Sequence, residues 1–94
     1  VRGRRTDANQ SAIIATLKAV GASVVDLSAV GRGVPDLLVG FRGQTYLLEV
    51  KNKAGRNRIT ADQEVFYAWW RGVPPIIVYN EHDALTAIDA VREP

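Results

Sequence analysis

An α/β domain with a mixed sheet flanked by helices is what this sequence predicts, and three features predict it. Apolar residues recur at helical spacing near the N-terminus, after Thr60 and after Asn80. Short runs rich in Val, Leu, Ile and Tyr lie between those stretches and suit strands. Gly21, Arg42-Gly43, Gly72 and Pro74-Pro75 punctuate the boundaries, as turn residues do.

The first five residues read as a basic arm, Val1 to Arg5. Asp7 is a helix cap, with Gln10 three residues on as its capping-box partner. Ile13, Leu17 and Val20, with Ile14 beside them, then give a helix that Gly21 ends. Ala22 to Leu27 reads as a strand and Ser28 to Pro35 as a glycine-containing loop. Asp36 to Phe41 and Gln44 to Lys51 are two strands joined by a tight turn at Arg42-Gly43. Asn52 to Ile59 is a polar, basic loop. Thr60 caps a second helix with Gln63 as box partner, and Phe66, Trp69 and Trp70 give that helix an apolar side. Gly72 stops it and Pro74-Pro75 prevents its resumption. Pro75 to Tyr79 is the fourth strand, inserted parallel to a neighbour through the helical crossover. Asn80 caps a last helix carrying Leu85, Ile88 and Val91. The order is α-β-β-β-α-β-α.

The chain of 94 residues, 47% of them hydrophobic, suits one domain with a thin core that self-association would help to stabilise. Cysteine is absent, which excludes a disulfide framework, a thiol nucleophile and a thiolate zinc site. Neither a membrane span nor a secretory leader is visible, so a cytoplasmic protein is expected. The start at Val1 reads as a trimmed or processed end. Net charge is only +2, so the clustering of charge carries more than its sum. Arg2, Arg4 and Arg5 form one cluster, and Lys51, Lys53, Arg56 and Arg58 another. Such clusters suit nucleic acid, or are simply a solvated arm and loop.

The chemistry lies in the hairpin. A two-residue turn at Arg42-Gly43 pairs Phe41 with Gln44 and sets Asp36 opposite Glu49. Opposed residues share a face, with Cβ atoms about 4.5–5.5 Å apart. Lys51 projects from the same face, about 6.8 Å further along the strand. Opposed carboxylates repel, and a divalent cation removes the conflict, since Asp36 and Glu49 supply the oxygen ligands that Mg²⁺ or Mn²⁺ prefers. The Val50 backbone carbonyl is a third candidate ligand. A metal there would polarise a phosphate and activate water, with Lys51 orienting that water or stabilising transition-state charge. A surface hairpin with an ordinary Glu49–Lys51 pair is the plainer alternative.

Pro35-Asp36, a hairpin and then Glu49-Val50-Lys51 resemble the PD-(D/E)XK nuclease superfamily. The stretch from Gly31-Arg32-Gly33-Val34-Pro35-Asp36-Leu37-Leu38 through Glu49-Val50-Lys51 to Thr60-Ala61-Asp62-Gln63 is similar to its VRR-NUC branch, and residues 1–94 read as one such domain. The resemblance implies a restriction-endonuclease-like α-β-β-β-α-β core. It makes Asp36 and Glu49 metal ligands, Lys51 the catalytic lysine and Gln63 a site residue, although Gln63 also fits the cap of Thr60. Members often carry an acid on the first helix; here Gln10 stands there and could bind a metal only through water. Stand-alone bacterial or phage members resemble homodimeric enzymes for branched DNA. The expected function is therefore a Mg²⁺- or Mn²⁺-dependent DNA endonuclease, selective for four-way (Holliday) junctions, with no small-molecule cofactor and no membrane partner. Flaps, ends or duplex DNA are alternative substrates. A non-catalytic DNA-binding module, or a structural or toxin-partner protein, is the non-enzymatic alternative.

Other residues fit around this centre. Arg32, Lys53, Arg56 and Arg58, with Arg4 and Arg5, are candidate DNA contacts. Gly31 and Gly33 permit close backbone approach to a phosphate, or form a plain loop. Tyr67, Trp69 and Trp70 are candidates for a dimer surface, with core packing expected for at least one tryptophan. His82 reads as a capping or surface residue.

Overall fold

The computed structural model describes residues 8–52 and 59–91. Three helices and four strands follow in the order α1 (Ala8–Ala19), β1 (Ser23–Asp26), β2 (Leu37–Phe41), β3 (Gln44–Val50), α2 (Ala61–Trp69), β4 (Ile76–Val78) and α3 (Glu81–Ala87). This is the expected order of elements, with β1 and β4 shorter at both ends, β2 at its start and β3 at its end. The sheet runs β1-β2-β3-β4. Its first two pairings are antiparallel, and β4 adds parallel to β3, as the α2 crossover requires.

Alternation along the strands sorts the sheet into two faces. Leu37, Val39, Leu48 and Val78 point to one face and are fully buried with Ile13 and Leu17 of α1 and Ala84 and Ile88 at α3. Leu38, Leu47 and Glu49 belong to the other face. There Trp70 joins Leu38, Thr45 and Leu47 around a shallow groove of about 260 Å³, and α2 lies over the end that carries Glu49.

α1 ends in paired backbone bonds, Gly21 N–H to Lys18 C=O at 3.0 Å and Ala22 N–H to Leu17 C=O at 3.1 Å. That pattern satisfies two orphan carbonyls and folds the chain back toward the sheet. Val20 is 41% exposed and so does not extend the apolar stripe of the helix into the core. The expected cap Asp7 lies outside the described residues.

α2 departs from expectation. None of its residues is fully buried, and Trp69 is 65% exposed. Phe66 and Trp70 stack at 5.3 Å between ring centroids. The spacing of three and four here builds a half-buried aromatic cover on the second face instead of a core helix. No tryptophan of the chain is a core residue, contrary to the expectation for one of them. The helix also ends at Trp70, two residues before Gly72. α3 stops after Ala87, where Asp89 turns to φ 61°. Val91 therefore lies past the helix that was expected to carry it. Asn80 caps α3 by accepting from the Asp83 N–H at 2.8 Å, and no described helix is long and apolar enough to cross a membrane.

Candidate active site

The hairpin sets the register. Arg42 and Gly43 both take positive φ, 50° and 78°, the type I′ geometry that matches strand twist. Phe41 pairs with Gln44 and Leu37 with Leu48, so Asp36, one residue ahead of β2, stands opposite Glu49. The Asp36 carbonyl accepts from Leu27 N–H at 2.7 Å, on the β1 side. Asp36 and Glu49 thus form a non-hydrogen-bonded pair, the kind with the closer side chains.

The pair is held tightly. Asp36 Oδ2 accepts from the Val50 N–H at 2.8 Å. Glu49, 5% exposed, accepts through Oε2 from Gln63 Nε2 at 2.8 Å. Lys51 Nζ lies 3.7 Å from the same oxygen and donates to Gln63 Oε1 at 3.2 Å. Gln63 Oε1 also accepts from the Thr60 N–H at 3.0 Å, while Thr60 Oγ1 accepts from the Gln63 N–H at 3.1 Å. The two roles expected of Gln63 are therefore one: the capping box that starts α2 also aims its amide at Glu49 and Lys51. Asn9 of α1 donates to the carbonyls of Lys51 and Tyr79 at 3.3 and 3.0 Å. It fixes the backbone that carries Lys51 where β3 and β4 end.

The loop before Asp36 is locked to the same helix. Gly33 has φ +79°, and a Cβ there would lie 2.2 Å from the Asp62 carbonyl oxygen and 2.7 Å from the Gln63 nitrogen. Its close backbone approach is thus to the first turn of α2. Arg32 beside it is exposed with φ 58°.

Burial strains both carboxyl groups, and the Asp36 charge adds to the strain on Glu49. Burial, followed by the Asp36 charge, pushes Glu49 up to about 7, against the relief given by Lys51 and Gln63. Burial likewise raises Asp36, with a smaller push from Asp26, while the Val50 N–H, Glu49 and Lys51 pull it down. The linkage has a definite sign. Between the ordinary carboxyl value and about 7, folded Glu49 keeps a proton that the unfolded chain releases, so stability falls as pH rises through that window. The loss amounts to up to about 3 kcal/mol. Glu49→Gln is therefore expected to raise the melting temperature at pH 8 and to leave it nearly unchanged at pH 4. Thermal unfolding at the two pH values checks this, and equal shifts at both would contradict it.

Two further residues belong to the neighbourhood. Asp26 pairs with Leu37 in the β1–β2 register, which brings it beside Asp36. Buried Gln10 donates to both Asp26 carboxylate oxygens at 3.4 Å, so its link toward the pair runs through Asp26. Only the β1–β2 register, which no turn residue announces, points to Asp26. Tyr67 lies one helical turn beyond Gln63, and burial, then the charges of Glu49 and Asp36, raise its phenol above the ordinary value. The i, i+4 spacing from Gln63 is the signal for it in the sequence. Arg4, Arg5, Lys53, Arg56 and Arg58 lie outside the described residues. His82 is exposed in the first turn of α3.

Among the described residues no group of three or more His, Cys, Asp or Glu gathers to hold a metal ion. The donor set is two carboxylates, Asp36 and Glu49. The Val50 carbonyl joins them by strand geometry, because a strand residue's N–H and C=O point to the same neighbour and the Val50 N–H meets Asp36. One buried and one partly buried carboxylate, with one carbonyl, fit a Mg²⁺-type ion that keeps several waters. Comparison of the chain with protein-family models, curated proteins and solved structures returns no match.

Proposed function

We propose that this protein is a divalent-metal-dependent DNA endonuclease on a restriction-endonuclease-like core of the VRR-NUC type. The observation that carries the reading is the convergence of Asp36, Glu49, Lys51 and Gln63 on one strand end. There Glu49 Oε2 meets both the Gln63 amide at 2.8 Å and the Lys51 ammonium at 3.7 Å. A purely structural hairpin gains nothing from setting a carboxylate opposite the buried Glu49. Asp36, Glu49 and the Val50 carbonyl would hold Mg²⁺ or Mn²⁺, whose chemistry there is to polarise the phosphate and acidify the attacking water. Lys51 stabilises the charge that develops on the phosphate oxygens. Gln63 holds Lys51 and Glu49 in fixed relation, so neither side chain must reorganise during reaction. Gln10 stands by as a donor toward water through the Asp26 side of the site.

Arg32, with Lys53, Arg56, Arg58, Arg4 and Arg5, would contact the phosphate backbone. Exposed Trp69, Val65 and Val73, between 65% and 68% exposed, offer apolar surface for a homodimer. Such a dimer would present two sites in matching orientation to a four-way junction. The test is a panel of labelled four-way junction, flap, nicked and linear duplex DNA, incubated with Mg²⁺, Mn²⁺ or EDTA, beside a mass measurement in solution. Metal-dependent cleavage with preference for the junction, by a dimer, is expected. Equal rates on all four substrates would remove the junction preference, and a monomer would remove the paired-cut arrangement.

A further inference from the structure

The ladder between β3 and β4 ends with the Lys51 N–H donating to the Val78 carbonyl at 3.0 Å. Past that rung the strands part, and their last carbonyls take donors from elsewhere. Asn9, half-buried in the first turn of α1, is such a donor. Its amide nitrogen carries two hydrogens and meets the Lys51 carbonyl at 3.3 Å and the Tyr79 carbonyl at 3.0 Å. Tyr79 is itself held, because its N–H donates to Asp83 Oδ2 at 2.9 Å. Asparagine is a mediocre helix former, and its place in α1 is accounted for by these two distant carbonyls.

Lys51 is thus gripped at three points by three elements. β4 holds its N–H, α1 its carbonyl, and Gln63 of α2 its ammonium at 3.2 Å. The first two grips fix the backbone from which the ammonium is aimed. We infer that Asn9 is a positioning residue for Lys51: by holding the Lys51 carbonyl at the end of β4, it sets where the ammonium stands beside Glu49 and Gln63. The inference rests on the reading of Lys51 as the catalytic lysine. Lys51 lies one residue past the last paired residue of β3, where the ladder no longer corrects a drift. A misplacement of about 1 Å at a reacting group can cost about a hundredfold in rate.

The experiment measures single-turnover cleavage of the labelled four-way junction in Mg²⁺ for wild type, Asn9→Ala, Lys51→Ala and the double variant, at a temperature where all are folded. Beside it, NMR relaxation without metal gives the order parameter of the Lys51 amide. Asn9→Ala is expected to slow cleavage about ten- to a hundredfold while DNA affinity in Ca²⁺ stays unchanged. In the Lys51→Ala background it should cost nothing further, since residues that act through one another do not add. The Lys51 order parameter should fall from the rigid range of about 0.85. Those of Val39 and Tyr46, paired in the middle of the hairpin, should not. Equal losses of cleavage in both backgrounds would overturn the inference, because Asn9 would then serve the fold alone. An unchanged Lys51 order parameter would overturn it too. Asn9→Asp, equal in shape but without the two donors, gives the same readings should Asn9→Ala fail to fold. Wild type that cuts no DNA removes the nuclease reading alone; the Lys51 order parameter in Asn9→Ala then upholds or overturns the hold of Asn9 on Lys51.

Discussion

Gly33→Ala is expected to destabilise the protein by roughly 3 kcal/mol, lowering the melting temperature by at least about 10 °C. Two costs add. A left-handed backbone costs a residue with a Cβ about 1–2 kcal/mol. The added methyl would also sit 2.2 Å from the Asp62 carbonyl oxygen, so the loop and α2 must separate, at about 1–3 kcal/mol. Gly43 distinguishes the two costs. It has φ +78°, but a methyl added there would meet nothing within 4 Å, so Gly43→Ala should cost only the backbone share, about 1 kcal/mol. Thermal unfolding of both variants checks the contrast, and equal losses would mean that Gly33 does not press on α2. The same displacement would move Gln63 away from Glu49, so Gly33→Ala should lose cleavage at temperatures where it is still folded.

Lys51→Ala is expected to lower metal-dependent cleavage at least about a hundredfold while leaving DNA binding largely intact. Its ammonium pairs with Glu49 at 3.7 Å, and its charge is among the forces lowering Glu49 and Asp36. On the proposed reading, removing it takes away a transition-state contact, and it also removes a charge that holds both carboxyl groups toward their ionised forms. The cleavage that survives should therefore shift its pH dependence upward. Single-turnover rates across pH, beside binding measured in Ca²⁺, separate the two effects. Wild-type rates for Lys51→Ala would show that the reaction centre lies elsewhere.

The hairpin is legible in the sequence because two independent signals agree. A two-residue turn at Arg42-Gly43 and the alternation of Leu37, Val39 and Leu48 select one register, and a slip of one residue would turn every side chain to the other face. Gln63 is legible in each of its roles separately. That one amide serves both follows only when α2 is placed over the end of β3. Asp26 is hidden because its nearness to Asp36 depends on the β1–β2 pairing, which a long loop leaves open. The aromatic spacing of α2 suggests a core face, but the same spacing serves a helix that covers a sheet with stacked, half-buried rings. Tyr67 reads with the tryptophans as a surface candidate, and only its spacing of four from Gln63 hints that its hydroxyl is buried near the pair. The end of α3 comes early for a local reason, the left-handed Asp89.

Single-turnover cleavage of a labelled four-way junction by wild type, in Mg²⁺ and in EDTA, with Asp36→Asn alongside, bears most directly on the reading of Asp36, Glu49 and Lys51 as a nuclease centre. Strand cleavage by wild type in Mg²⁺, none in EDTA, and a loss of at least about a hundredfold in Asp36→Asn are the expected results. Absence of any Mg²⁺-dependent cleavage by folded wild type, or undiminished cleavage by Asp36→Asn, would contradict that reading.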